Sequence, residues 1–109
     1  MKNPKTPLRL IRQFFLGFVR LHILYHASEG AVCGVDLSAE LARHGYQLSP
    51  GTLYPILHAL EASGYLRRRV QVEQGRQRKV YTLTRKGKGA LEQAREHLRE
   101  LVEEVLEGR

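Results

Sequence analysis

The chain has 109 residues, room for one domain with a modest core. Its 42% hydrophobic and 27% charged residues exclude a disordered polymer, and no run reaches the roughly 18 consecutive apolar residues that a membrane-spanning helix requires. The net charge of +7 and a pI near 10.0 favour an anionic partner, nucleic acid before a membrane surface, while the single cysteine, Cys33, excludes an internal disulfide framework and suits a reducing cytoplasm.

Residues 1–6 are polar, contain Pro4 and are expected to fray. The basic start is not read as a signal peptide, because Arg12 and Arg20 interrupt the apolar stretch and no small-residue cleavage site follows. From Pro7 to about Ala27 a helix is predicted whose apolar residues, among them Phe14, Phe15 and Phe18, cover more than one face. A helix apolar nearly all round needs cover on several sides. A second subunit is the natural cover, with a ligand-lined groove as the alternative. His22 and His26 are spaced i, i+4 and so share one side of this helix, a spacing that can hold a metal. A metal sensor would use Cys33 with His22, His26 or His44, but histidines on an aromatic-rich helix more often pack, so the reading assigns no metal.

Glu29 to Gly34 reads as a turn punctuated by Gly30 and Gly34. A second helix is predicted over Val35–His44, with Leu37, Leu41 and Ala42 inward, Asp36 or Ser38 as cap, and Gly45 as its stop. Tyr46 and Gln47 lead into a third helix. There Ser49 stands as N-cap and Pro50 at the first helical position, where its missing N–H costs nothing. Leu53, Ile56, Leu57 and Leu60 fall at i, i+3, i+4 and i+7, an inward stripe. The opposite face carries Gly51, Pro55, His58 and Ala62, flanked by Thr52 and Tyr54, with nothing acidic to repel an anion. Pro55 removes the hydrogen bond to the Gly51 carbonyl, a broken local rule of the kind that marks functional sites. Gly64 follows as the C′ residue. Two short helices with a glycine-containing connection make a helix-turn-helix.

Tyr65–Val72 and Lys79–Thr84 are rich in strand formers and predict a hairpin with Glu73 to Arg78 as its tip. Arg67, Arg68, Arg69, Arg76, Arg78 and Lys79 crowd this segment. Residues 1–48, 49–88 and 89–109 carry net charges of +3, +7 and −3, so anion binding is expected of the middle section. Thr84 can cap a last helix, from about Lys86 to Leu106, that Gly87 and Gly89 weaken at its start. Its stripe of Leu91, Ala94 or Leu98, Leu101, Val102, Val105 and Leu106 has heptad-like spacing. Its acidic last turn opposes the helix dipole, so the helix is expected to need a packing partner.

The expected fold is therefore mainly α with a small β-hairpin, a winged helix-turn-helix. Residues 1–84 would form the DNA-binding domain, including the first helix, and 85–109 a C-terminal dimerisation helix. At this level the chain resembles the PadR family of bacterial transcription regulators. The resemblance rests on LHILYHASEG, VDLSAELARHGYQLSPGTLYPILHALEASGYL, GRQRKVYTLTRKGKGAL and the single last helix, and the short tail is similar to that of the family's small subgroup. It implies a homodimeric repressor of pseudo-palindromic operator DNA. The helix Pro50–Ser63 would lie in the major groove, and the wing Val70–Lys79 would touch the backbone or minor groove. Ser49, Thr52 and Tyr54 match the family's DNA-facing positions, Arg76 and Lys79 its basic wing. His58, Arg67 and Arg78 complete the candidate DNA set on position and charge. Family members often respond to phenolic or hydrophobic effectors at the dimer interface, which here would involve Phe14, Phe15, Phe18, Leu98, Leu101 and Val105. With no tryptophan in the chain, drug stacking on that residue is not expected.

Two other readings stand beside this one, a metal-responsive regulator using His22, His26 and Cys33, and a winged-helix protein-interaction module. The charge concentrated in residues 49–88 argues against the second. An enzyme is not expected. The sequence holds no nucleophile–base–acid set, and Gly87-Lys88-Gly89 is too short for a phosphate-cradling loop. No cofactor is expected either.

Overall fold

The computed structural model describes residues 5–109, with side chains from Arg9 onward. The chain runs α1 (Lys5–Glu29), β1 (Val32–Cys33), α2 (Gly34–Arg43), α3 (Pro50–Ala62), β2 (Leu66–Glu73), β3 (Arg76–Leu83) and α4 (Arg85–Leu101), and α4 continues into a π-helical turn at Val102–Leu106. Of the start expected to fray, residues 1–4 lie outside the described residues, while Lys5 and Thr6 already belong to α1.

One core serves all four helices. Val19, Ile23, Leu24 and Ala27 of α1 are buried against Leu37 and Leu41 of α2, and against Leu53, Ile56, Leu57 and Leu60 of α3. Leu66, Tyr81 and Leu91, from β2, β3 and α4, close it. The inward stripe of α3 is the one its spacing predicts. In α2 the pattern differs from expectation. Leu37 and Leu41 are buried but Ala42 is exposed, and the cap position is Cys33 rather than Asp36 or Ser38, because the helix starts at Gly34.

Both helices of the helix-turn-helix stop in the same way. Gly45 and Gly64 take left-handed φ values of 89° and 86°. The N–H groups of Gly45 and Tyr46 donate to the carbonyls of Ala42 and Leu41, and those of Gly64 and Tyr65 donate to Glu61 and Leu60. Each is a paired closure of orphan carbonyls that a glycine at C′ makes cheap. At the start of α3, the Ser49 carbonyl accepts from the N–H groups of Thr52 and Leu53, while its hydroxyl donates to Thr52 Oγ1 at 3.3 Å instead of capping the backbone.

The hairpin is longer and its tip tighter than the sequence suggests. Glu73 pairs with Arg76 across a two-residue turn, Gln74-Gly75, in which both residues have positive φ (52° and 76°). That geometry matches the strand twist, and Gly75 supplies half of it without strain. Arg76 and Arg78 thus lie in β3, not in a loop. The segment read as a turn before α2 contains a strand. Val32 and Cys33 pair antiparallel with Tyr81 and Val80, giving a three-stranded sheet in the order β1-β3-β2.

Thr84 joins the parts. Its hydroxyl donates to the Gly64 carbonyl at 2.6 Å and accepts from the Gly87 N–H at 3.0 Å, capping α4 as expected. Lys86 Nζ adds a bond to the Ser63 carbonyl at 2.7 Å and sits 4.8 Å from the centre of the Tyr65 ring. Gly87 has a structural reason to be glycine, since a Cβ there would collide with the Tyr65 carbonyl and Leu83.

Leu57 is fully buried at the centre of this core. Leu57→Ala is expected to cost about 2–5 kcal/mol, as buried leucine truncations do, measured as a lower midpoint in denaturant unfolding with an unchanged slope.

Candidate nucleic-acid interface

Burial of the α3 stripe leaves Gly51, Tyr54, Pro55, His58, Ala59 and Ala62 exposed, with Thr52 half-buried at the edge. Tyr54 is 37% exposed, and its ring lies directly over Gly34, where a Cβ would come within 2.8 Å of it. The absence of a side chain at Gly34 therefore sets where Tyr54 can stand. His58 lies one turn on, its ring centre 6.5 Å from that of Tyr54.

The arginines of the hairpin are sorted by the strand period of two. Directly opposed residues share a face, so Arg67, Arg69, Gln71 and Glu73 lie with Thr82, Val80, Arg78 and Arg76. Arg67, Arg69, Arg76 and Arg78 consequently stand on one face. Arg68 and Lys79 belong to the other, where Arg68 approaches Glu61 of α3 at 3.8 Å. A groove of about 1090 Å³ separates the hairpin from the helices, and Gly34, Val35 and Tyr54 line one side, Arg76, Arg78 and Lys79 the other.

Arg78 differs from its neighbours. It bonds Glu73 at 3.0 Å, lies 3.9 Å from Asp36 and reaches the Cys33 sulfur at 3.2 Å. The Glu73 hydrogen bond, with Cys33 and Asp36 behind it, holds its guanidinium even more firmly charged than usual. It ties the hairpin to the start of α2. No contact in the sequence marks this role, since its partners lie 5, 42 and 45 positions away and only the sheet assembles them.

At the opposite end of the molecule, Phe14 and Phe18 of α1 are half-exposed, as is Leu101, and Val105 is 71% exposed. Phe15 departs from this set, because its ring meets Tyr46 of its own chain edge-on at 5.0 Å. Leu98 and Phe18 line a second groove of about 550 Å³ between α1 and α4, together with Leu91, Tyr25, Tyr46 and three histidines. His22, His26 and His44 bring a ring nitrogen each to within 4.8 Å of one another. Burial, then the neighbouring His44 and His26, push the His22 imidazole below its ordinary range. Cys33 does not join them; it is buried in β1 beside Arg78.

A sequence model of the PadR-like transcriptional regulator family matches residues 23–93, from α1 through the hairpin to α4. The chain belongs to that family. It is 52% identical over 98 residues to a transcriptional regulator of Mycobacterium tuberculosis, covering 90% of this chain and 92% of that one. A PadR-like regulator of Bacillus cereus superposes with a TM-score of 0.74 at 30% identity, over 89% of this chain and 99% of the other. Bacillus subtilis PadR in complex with operator DNA shares the fold at a TM-score of 0.63 and 24% identity, over 70% of this chain and 44% of that one. The PadR fold accounts for the winged helix-turn-helix read from the sequence, in which α3 is the recognition-helix position and β2–β3 the wing. Regulators of this family are not enzymes. No helix among the described residues is long and apolar enough to cross a membrane.

Removing the tie between wing and α2 has a measurable consequence. Arg78→Gln is expected to speed amide hydrogen exchange at Cys33 and Val80, the β1–β3 pair, while leaving the buried α3 amides protected to the same degree.

Proposed function

We propose that this PadR regulator is a homodimeric, cytoplasmic repressor that binds double-stranded operator DNA through α3 and the wing and is released by a small hydrophobic or phenolic effector. The observation that carries the DNA reading is the sorting of the hairpin arginines. Arg67, Arg69 and Arg76 share one exposed face of the sheet, and the exposed residues of α3 that the leucine stripe leaves outward, Gly51, Tyr54, Pro55, His58, Ala59 and Ala62, include no acidic group. Ser49, Thr52, Tyr54 and His58 are small, polar or aromatic groups suited to base edges and phosphates, and Arg67, Arg76 and Lys79 to phosphates. Arg78 contributes charge to the same surface while bracing the wing. Residues 1–84 would form the DNA-binding part and 85–109 the dimerisation helix.

Phosphate contacts release counterions, so affinity falls with salt by a log–log slope of about 0.9 per contact. Fluorescence anisotropy with a duplex from the region upstream of the gene is expected to give a steep negative slope. Arg76→Gln, present twice in a dimer, is expected to make that slope shallower by about 1.8. A flat salt plot would overturn the DNA reading and favour a protein-interaction module.

The dimer reading rests on unburied apolar groups. Phe14 and Phe18 on α1, and Leu101, Val105 and Leu106 on α4, lie exposed in a single chain, and a two-fold pairing of these helices would cover them. The same axis would set two copies of α3 one DNA turn apart, about 34–36 Å. An effector seated near Phe14, Phe15, Phe18 or Leu98 would act by binding one dimer shape better than the other. Sedimentation is expected to give twice the 12.5 kDa chain mass. Val105→Glu, on a residue that supports no core, is expected to shift the protein toward a folded monomer; an unchanged dimer would exclude the end of α4 as the interface.

A further inference from the structure

The three histidines of the α1–α4 groove are separate from the proposed DNA surface and have no role in it. His22 and His26 lie one turn apart on α1, and His44 is the C-cap of α2. Their ring centres are 4.9 Å apart for His22–His44 and 6.1 Å for both His22–His26 and His26–His44, with each pair of rings within 29° of parallel. His26 Nε2 is buried with no hydrogen-bond partner among the described residues. A buried imidazole nitrogen without a partner costs free energy, so a stable fold retains one where something binds it.

We infer that His22, His26 and His44 form a binding site for a divalent transition-metal ion of the zinc class. The residue types suit it, since neutral imidazole is the preferred nitrogen ligand of zinc, cobalt, nickel and copper ions. The spacing suits it as well. Two histidines at i, i+4 on one helix face reach a common ion, as they do in helical zinc sites. Metal–nitrogen bonds of about 2.0–2.1 Å place the nitrogens of a tetrahedral site about 3.4 Å apart. The ring nitrogens here lie within 4.8 Å, so small side-chain rotations close the site without moving the backbone. His44 also has the carboxylate neighbour that ligating histidines commonly use. Glu40 Oε2 lies 3.6 Å from its Nε2, and Arg43 holds the other Glu40 oxygen. Glu40 thereby steadies His44, which is otherwise exposed. Three protein ligands leave the fourth position of a tetrahedral ion open toward the groove.

The site has a mechanical consequence. His44 immediately precedes the Gly45–Leu48 connection to α3. An ion bridging His44 to His22 and His26 pins the end of α2, and with it the approach to α3, onto α1.

The test uses tag-free, full-length protein titrated with Co²⁺ and then Zn²⁺. Visible ligand-field absorption is expected to saturate at one Co²⁺ per chain and to vanish as Zn²⁺ displaces it. Saturating Zn²⁺ is expected to raise the melting temperature, because it binds the folded state. His44→Gln changes an exposed side chain and keeps the fold; it and His22→Gln are each expected to weaken binding more than about a hundredfold, beyond the roughly 10–100-fold cost of losing an outer-shell partner. His97→Gln, on the far part of α4, serves as the control and is expected to bind as wild type does. Glu40→Gln is expected to weaken binding by a smaller factor. Absence of saturable binding by the folded protein, or binding by His44→Gln and His22→Gln as tight as that of the wild type, would overturn the site and leave the cluster as packing. These readouts involve no DNA, so their failure and that of the DNA reading are independent.

Discussion

The constraint on which the molecule turns is that α1 carries more apolar surface than its own chain can cover. One side, Val19, Ile23, Leu24 and Ala27, is the floor on which α2, α3, the sheet and α4 assemble. The other, with Ile11, Phe14, Phe18 and Tyr25, remains open. Burial of the first side orients every other element, because α3 can hide its leucine stripe only by presenting Tyr54, Pro55 and His58 outward. The open side, with the exposed end of α4, is the reason for proposing a dimer. Apolar patches of this kind on a small protein mark interaction surfaces.

The wing shows how a modest set of polar contacts positions a charged surface. Its outer arginines are held by no core. The hairpin is fixed at its base by Leu66 and Tyr81, at its side by the short β1 pairing, and at its tip by the Gln74-Gly75 turn. Arg78 adds a brace to Glu73, Asp36 and Cys33 that also absorbs acidic charge which would otherwise face the groove. At the other end, Thr84 and Lys86 fasten the end of α3 to the start of α4. The end of α3, the base of the wing and the start of α4 are thus linked through a few residues near Gly64 and Tyr65.

Much was legible in the sequence because its signals are local. Ser49-Pro50 and Gly64 bound α3, the i, i+3, i+4, i+7 leucines set its inward face, and Thr84 marks the start of α4. Each of these depends on backbone geometry within one turn, which side-chain type determines directly. The net charge of +7 over residues 49–88 located the basic hairpin, and the motif resemblance agreed with the family that the chain belongs to.

What only the tertiary structure decided concerns pairs of residues distant in the chain. Val32 and Cys33 form a strand because β3 offers them a ladder, and two residues carry too little pattern to announce that. The arginine run divides by face because Leu66 and Tyr81 fix the register, sending Arg68 toward Glu61 and leaving Arg67 and Arg69 outward. Phe15 and Phe18 are three positions apart yet meet different fates, one against Tyr46 and one in the open groove. His44 rather than Cys33 joins His22 and His26 because α2 runs back toward α1 and ends beside it, while β1 carries Cys33 to the sheet. Sequence determines local geometry and charge; which distant groups meet is set by how the shared core is packed.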